Sequence, residues 1–149
     1  MSEVFEDKVK DFKEKNQISD ENKLKTINSG TNQLWTLEEQ IIEINGKEAV
    51  NTVIIYNKKI LNILYFETAN WKNKDNKTTL NKKLPWLWRF AVFNFIELAK
   101  EKWLKKILFD IKLTEIKFYE KLFLELKKSK IIKNVKIKYD KKTIFQIDI

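Results

Sequence analysis

From Leu84 to Ala99 the sequence LPWLWRFAVFNFIELA is apolar on nearly every face of the helix it would form. Such a helix must be covered on most sides by the rest of the chain. Pro85 stands at its start, where a missing amide is harmless because the first turn has no intrahelical partners, so the helix is predicted from Trp86. Lys100, Lys102, Lys105 and Lys106 crowd the far end, which the helix dipole makes favourable for cations. Arg89, Asn94 and Glu97 interrupt the run, and it is too short to cross a bilayer. The cover therefore has to be protein.

The flanking sequence supplies it. Upstream, Leu34 to Ile44 is strand-like toward its end, and Asn45-Gly46 is the strongest hairpin signal in the chain. Val50 to Tyr56 reads as a second strand. After the polar Asn57-Lys58-Lys59 turn, Ile60 to Thr68 is a third, rich in β-branched and aromatic residues. This gives a meander of three antiparallel strands over residues 32–69. Trp71 to Lys83 is a polar loop with room for a short strand near Thr78–Leu80. Downstream, Ile107 to Ile111 is a short strand, and Thr114 caps a helix in which Ile116, Tyr119, Leu122, Phe123 and Leu126 recur at helical spacing. Asn134–Tyr139 and Thr143–Ile149 form a closing hairpin across Asp140-Lys141-Lys142. At the other end, Ser2 caps a helix to about Lys15, whose stripe of Phe5, Val9 and Phe12 is expected to dock on the domain. Asn16 to Asn32, polar and containing Gly30, reads as a linker, so residues 1–31 are predicted to be helix plus linker.

A chain of 149 residues is one domain by length. With no cysteine and no histidine, thiol chemistry, disulfides and Ser-His-Asp or Cys-His mechanisms are excluded, and no metal site is expected. The start MSEVFEDKVK has early acids and no apolar run, which predicts no signal peptide, and a soluble cytoplasmic protein away from membranes. Thirty basic against 21 acidic residues leave a net charge of +9, favouring acidic partners. Only Arg89 among the basic residues is an arginine. Lysine reads phosphate as a point charge and lacks the bidentate fork, so a protein partner is placed ahead of nucleic acid. The lysine-rich composition also fits plain AT-rich coding.

The order of meander, helix, strand, helix and hairpin resembles the GNAT acyltransferase fold: α+β, a mostly antiparallel central sheet with helices on both faces. Ala99-Lys-Glu-Lys-Trp-Leu-Lys-Lys-Ile-Leu-Phe-Asp-Ile111 looks like that family's third helix entering its fifth strand. Ile116-Lys-Phe-Tyr-Glu-Lys-Leu-Phe-Leu-Glu-Leu126 is similar to its fourth-helix motif, F-Y-E-K-L-G-F. The match covers residues 84–149. It implies acetyl-CoA as cofactor, Tyr119 as general acid to the leaving thiolate, and a sheet carboxylate as general base, for which Glu67 is best placed.

The family's cofactor pyrophosphate rests on backbone amides reached through a turn of the form R/Q-x-x-G-x-G/A. Glycines let the backbone approach the anion. Here that turn falls on Lys83-Leu-Pro-Trp-Leu-Trp-Arg89 and contains none; the chain's two glycines, Gly30 and Gly46, lie elsewhere. Were a cofactor held, the amides of Leu87, Trp88 and Arg89 would hold it. The family's asparagine seven residues before the tyrosine is Lys112 here.

Two classes follow. One is a non-catalytic GNAT-like binder without cofactor, a regulator or inhibitor of the kind a mobile element carries. Its partner would meet Trp71, Lys82, Lys83, Trp86, Trp88 and Arg89, since tryptophan and arginine dominate binding hot spots. The other is an N-acetyltransferase with an atypical loop. The tryptophans themselves have two readings: anchors for a partner, or plugs in a vacated groove.

Overall fold

A computed structural model describes residues 3–19, 22–68, 84, 86–111, 116–140 and 142–149. Its elements run α1 (Glu3–Lys15), β1 (Lys25–Thr31), β2 (Thr36–Ile44), β3 (Lys47–Tyr56), β4 (Ile60–Thr68), α2 (Leu87–Glu101), β5 (Lys106–Ile111), α3 (Ile116–Lys128), β6 (Asn134–Asp140) and β7 (Lys142–Asp148). The seven described strands form one sheet in the order β1-β2-β3-β4-β5-β7-β6. Only β4 and β5 pair in parallel; α2 makes the crossover that parallel neighbours require. The chain is thus α/β with a mostly antiparallel sheet, three described helices and a C-terminal hairpin.

The meander has four strands rather than three. Lys25–Thr31, read above as linker, pairs with β2 along the sheet edge. Every residue of that strand is exposed, so it lacks the alternation by which a half-buried strand is recognised. Its first residues are tied down by Lys25, which pairs with Glu43.

Asparagine makes the turns in a chain with almost no glycine. Asn45 and Gly46 sit at φ 56° and 76°, the left-handed pair that a two-residue hairpin needs. Asn32 Oδ1 accepts from the amides of Leu34 (2.8 Å) and Trp35 (2.9 Å) between β1 and β2. Asn57 Oδ1 does the same for Lys59 and Ile60, both at 2.8 Å. Side-chain carbonyls here imitate a backbone turn.

The three helices also end alike. In each, one residue takes positive φ just past the last turn: Gln17 (56°), Trp103 (59°) and Lys130 (60°). The following amide reaches back five residues, Ile18 to Lys13 (2.8 Å), Leu104 to Ala99 (2.9 Å) and Ile131 to Leu126 (3.0 Å). This is the Schellman closure, which usually carries glycine at the left-handed position. The apolar residue after each, Ile18, Leu104 and Ile131, is buried and anchors the turn.

Register fixes the two faces of the sheet. Ile54 lies opposite Ile63, Ile63 beside Phe109 and Phe109 opposite Phe145, so these share a face with Leu61, Ile107 and Ile147, and all are buried. The other face carries Tyr65, Asp110, Lys136 and Lys138, all exposed. Phe95 of α2 packs on Phe66 and Phe109, at 5.1 and 5.9 Å between ring centres. Tyr119 and Phe123 of α3 reach Phe109 and Phe145. The expectation put helices on both faces, whereas these two share one. Both lie in crossovers that advance the same way along the sheet, and the right-handed rule for such connections sends both helices to the same side. Helix α1 joins them through Phe12 on Phe90 (5.0 Å) and Phe5 on Phe93 (6.2 Å), so its stripe docks on the domain as expected.

Ser2, Pro85, Lys112, Thr114, Lys141 and the whole Trp71–Lys83 segment, including the strand expected near Thr78, lie outside the described residues.

Candidate functional site

Strands β4 and β5 pair only from Ile60 with Lys106 to Ile63 with Phe109. Beyond that each follows its other neighbour. Tyr65 to Thr68 stay with β3, and Asp110 and Ile111 stay with β7. Between Val53/Ile54 and Ile63/Tyr65 the register shifts by one residue, Leu64; a bulge of this kind bends its strand. The two strands part here, below the first turn of α2. This is where the resemblance would place a cofactor.

Trp88 lies across the parting. Its ring is 5.7 Å from Phe66 on β4 and 4.3 Å from Tyr119 on α3, with Phe118 at 4.5 Å. The contacts to Phe118 and Tyr119 are edge-on, at 70° and 74°, an arrangement that suits the ring quadrupoles. Phe95 spans the same gap from beneath, touching Phe66 and Phe109. Arg89 stacks its guanidinium over Phe118 at 4.8 Å, covering the outer side.

Trp86 goes elsewhere. It is the residue before α2, at φ 76°, and its ring packs on Phe5 (5.1 Å) and Phe12 (5.9 Å) of α1. One residue apart from Leu87 on either side, the two tryptophans serve opposite flanks of the helix. Both are half-buried. Trp71, Lys82 and Lys83, the rest of the expected partner surface, lie outside the described residues.

The expected acid and base are not brought together. Tyr119 is buried, stacked on Phe145 with ring centres 5.9 Å apart and packed under Trp88. Glu67 is exposed and accepts a hydrogen bond from Tyr65. It lies opposite Asn51 as Phe66 lies opposite Thr52, and alternate residues of a strand point to opposite faces. Glu67 therefore stands on the face opposite the one that α2 and α3 cover, and Tyr119 lies beneath the helical one.

The start of α2 has its own character. Among the described residues no side chain caps it, and its first turn holds no acid. Its leading amides, Leu87, Trp88 and Arg89 among them, lie where a helix has no intrahelical acceptors. Leu87 does reach the carbonyl of Leu84 at 3.3 Å.

A second polar group was not singled out from the sequence. Glu38 and Gln40 lie on the buried face of β2, 9% and 2% exposed. Glu38 accepts from Gln40 Nε2 (2.7 Å), Tyr56 Oη (3.0 Å) and Thr26 Oγ1 (3.3 Å). Lys102 donates to Tyr56 Oη at 3.2 Å and lies 4.4 Å above its ring. The alternation Glu38, Gln40, Ile42 was the available signal. Gln40 Oε1 has no partner among the described residues. Each Glu38 oxygen is already engaged within the chain, so the group reads as a buried strut between β1, β2, β3 and the end of α2.

Among the described residues no group of three or more metal-ligating side chains gathers, and no helix is long and apolar enough to cross a membrane. No family model and no curated protein matches this sequence. Among solved structures, the crystal structure of a putative acetyltransferase from Sphaerobacter thermophilus aligns over 95% of this chain and 87% of that one, with 11% identity and a TM-score of 0.43. A likeness that loose transfers no function.

Proposed function

We propose that this chain is a non-catalytic, GNAT-like binding protein that acts on an acidic macromolecular partner as a regulator or inhibitor. The observation that carries the reading is the position of Trp88. An acyl-CoA chain entering the parting of β4 and β5 would have to displace an indole already packed on Phe66, Phe118 and Tyr119. Displacement would forfeit those aromatic contacts, each worth about 0.5–1.5 kcal/mol beyond simple burial. With Glu67 and Tyr119 on opposite faces, the acid–base pair has no common substrate position. The charge of +9 supports an acidic partner.

A second reading keeps an N-acetyltransferase that uses acetyl-CoA. The uncapped, acid-free first turn of α2 favours it, since such an end attracts anions. In that case the amides of Leu87, Trp88 and Arg89 hold the pyrophosphate and Trp88 swings aside.

A thermal-shift titration with acetyl-CoA separates the two. A ligand at a hundredfold its dissociation constant stabilises the native state by about 2.7 kcal/mol, several degrees in a chain of this size. The binding reading expects no shift at millimolar acetyl-CoA. A saturable upward shift would overturn it.

A further inference from the structure

Trp103 is 88% exposed, more than any other large hydrophobic side chain described. Among the described residues no ring or cation–π contact holds its indole. It occupies the left-handed closing position of α2, φ 59°, where glycine would make the same turn without a side chain to strain. Gln17 and Lys130 take the equivalent positions in α1 and α3, but both are polar and at home in water. A bare indole at this position does nothing for the fold.

Its surroundings are basic. Helices α2 and α3 lead into β5 and β6, so their C-termini and the first residues of those strands come to one end of the sheet. The amides of Lys105 and Lys106 both reach the carbonyl of Lys59, at 2.9 and 3.3 Å. Lys106 lies opposite Asp148, and the Lys133 amide donates to the Asp148 carbonyl at 2.8 Å. Lys58, Lys59, Lys100, Lys105, Lys106 and Lys133 are all exposed, and none is in an ion pair among the described residues. Of the acids at this end, Glu101 pairs with Lys23 at 3.7 Å, and Asp148 accepts from Gln146 at 3.4 Å. From β4 to β6 the lysines span three strand spacings, about 14 Å, long enough to meet more than one phosphate of the same strand.

We propose that this end binds single-stranded nucleic acid, the Trp103 indole stacking on a base while the lysine row follows the phosphates. The inference rests on the binding reading above and deepens it by naming a partner class and a surface. A single protruding ring offers too little apolar area to insert in a bilayer or to form the buried core of a protein interface. One ring face among cations is what a base and its phosphate require. Lysine without arginine meets phosphate as a point charge, so binding is indifferent to sequence.

The test is fluorescence anisotropy with a labelled thymidine oligonucleotide of roughly 16 nucleotides, titrated with the full chain across a range of KCl. Binding at low salt is expected, with log K falling linearly in log salt by about 0.7 per phosphate engaged. Trp103→Ala weakens it about tenfold or more, the range of one lost stacking contact, without lowering the melting temperature. Lys105→Gln with Lys106→Gln reduces the salt slope by about 1.4. Three results would overturn the proposal: no binding at low salt, binding indifferent to Trp103→Ala, or equal binding of polyglutamate or of phosphatidylserine vesicles. Acetyl-CoA is absent from this assay, so its outcome is separate from that of the cofactor titration.

Discussion

The two ends of α2 treat tryptophan in opposite ways. At the N-terminal end Trp86 and Trp88 turn inward, one onto α1 and the other across the parted strands. At the C-terminal end Trp103 stands in water among lysines. The same residue type closes a groove at one end and is offered outward at the other. Packing decides which: the first turn of α2 faces Phe5, Phe12, Phe66 and Tyr119, whereas Trp103, just past the last turn, meets no ring among the described residues. An indole in contact with two or three rings is part of the fold, and an indole in contact with none is available to something else.

Breaking the N-terminal end should have the largest effect. Trp88→Ala removes a half-buried indole from a cluster of rings and should cost about 3 kcal/mol, lowering the melting temperature by about 6–12 °C; calorimetry reads both. A drop of less than a degree would mean that Trp88 is not packed where described. Next comes the strut that ties the far end of α2 to the sheet. Glu38→Ala takes the buried carboxylate acceptor from Tyr56, Gln40 and Thr26 and should cost about 1–3 kcal/mol. Urea denaturation would show it as a lower midpoint at unchanged slope. A neutral result there would detach Lys102 and Tyr56 from stability.

At the exposed end the sign reverses. Trp103→Gly relieves a left-handed backbone at a position with no contacts to lose and should stabilise by about 1 kcal/mol. Loss of stability would show that the indole packs on something after all. The smallest effect is expected where α2 meets the segment before β1. Lys23→Ala removes an exposed pair with Glu101, 3.7 Å apart, and should change stability by less than about 0.5 kcal/mol.

Much of this contrast could be read from sequence, though not its geometry. The run LWRFAVFNFI announces a helix covered all round, and Asn45-Gly46 announces its hairpin, because both signals are local. Trp86 and Trp88 stand two apart, and positions so spaced do not face one another on a helix; which neighbours they meet depends on α1 and α3, more than a hundred residues apart in sequence for Phe12 and Tyr119. The first strand escaped because an edge strand exposed on both faces has no pattern to show. The helix ends escaped because their usual marker is glycine, and here Gln17, Trp103 and Lys130 take that conformation instead. The Glu67–Tyr119 pairing expected from the family resemblance fails on strand parity, once Leu64 bulges and Phe66, not Glu67, points beneath α2.

Fluorine NMR of the protein labelled with 5-fluorotryptophan tests both ends in one measurement. With resonances assigned from single Trp→Phe variants, acetyl-CoA and the thymidine oligonucleotide are titrated in separate samples. The Trp88 signal should stay fixed as acetyl-CoA is added, while the Trp103 signal alone should move and saturate with the oligonucleotide. Saturable movement of Trp88 by acetyl-CoA, with Trp103 unmoved by nucleic acid, would contradict the account at both ends of the helix.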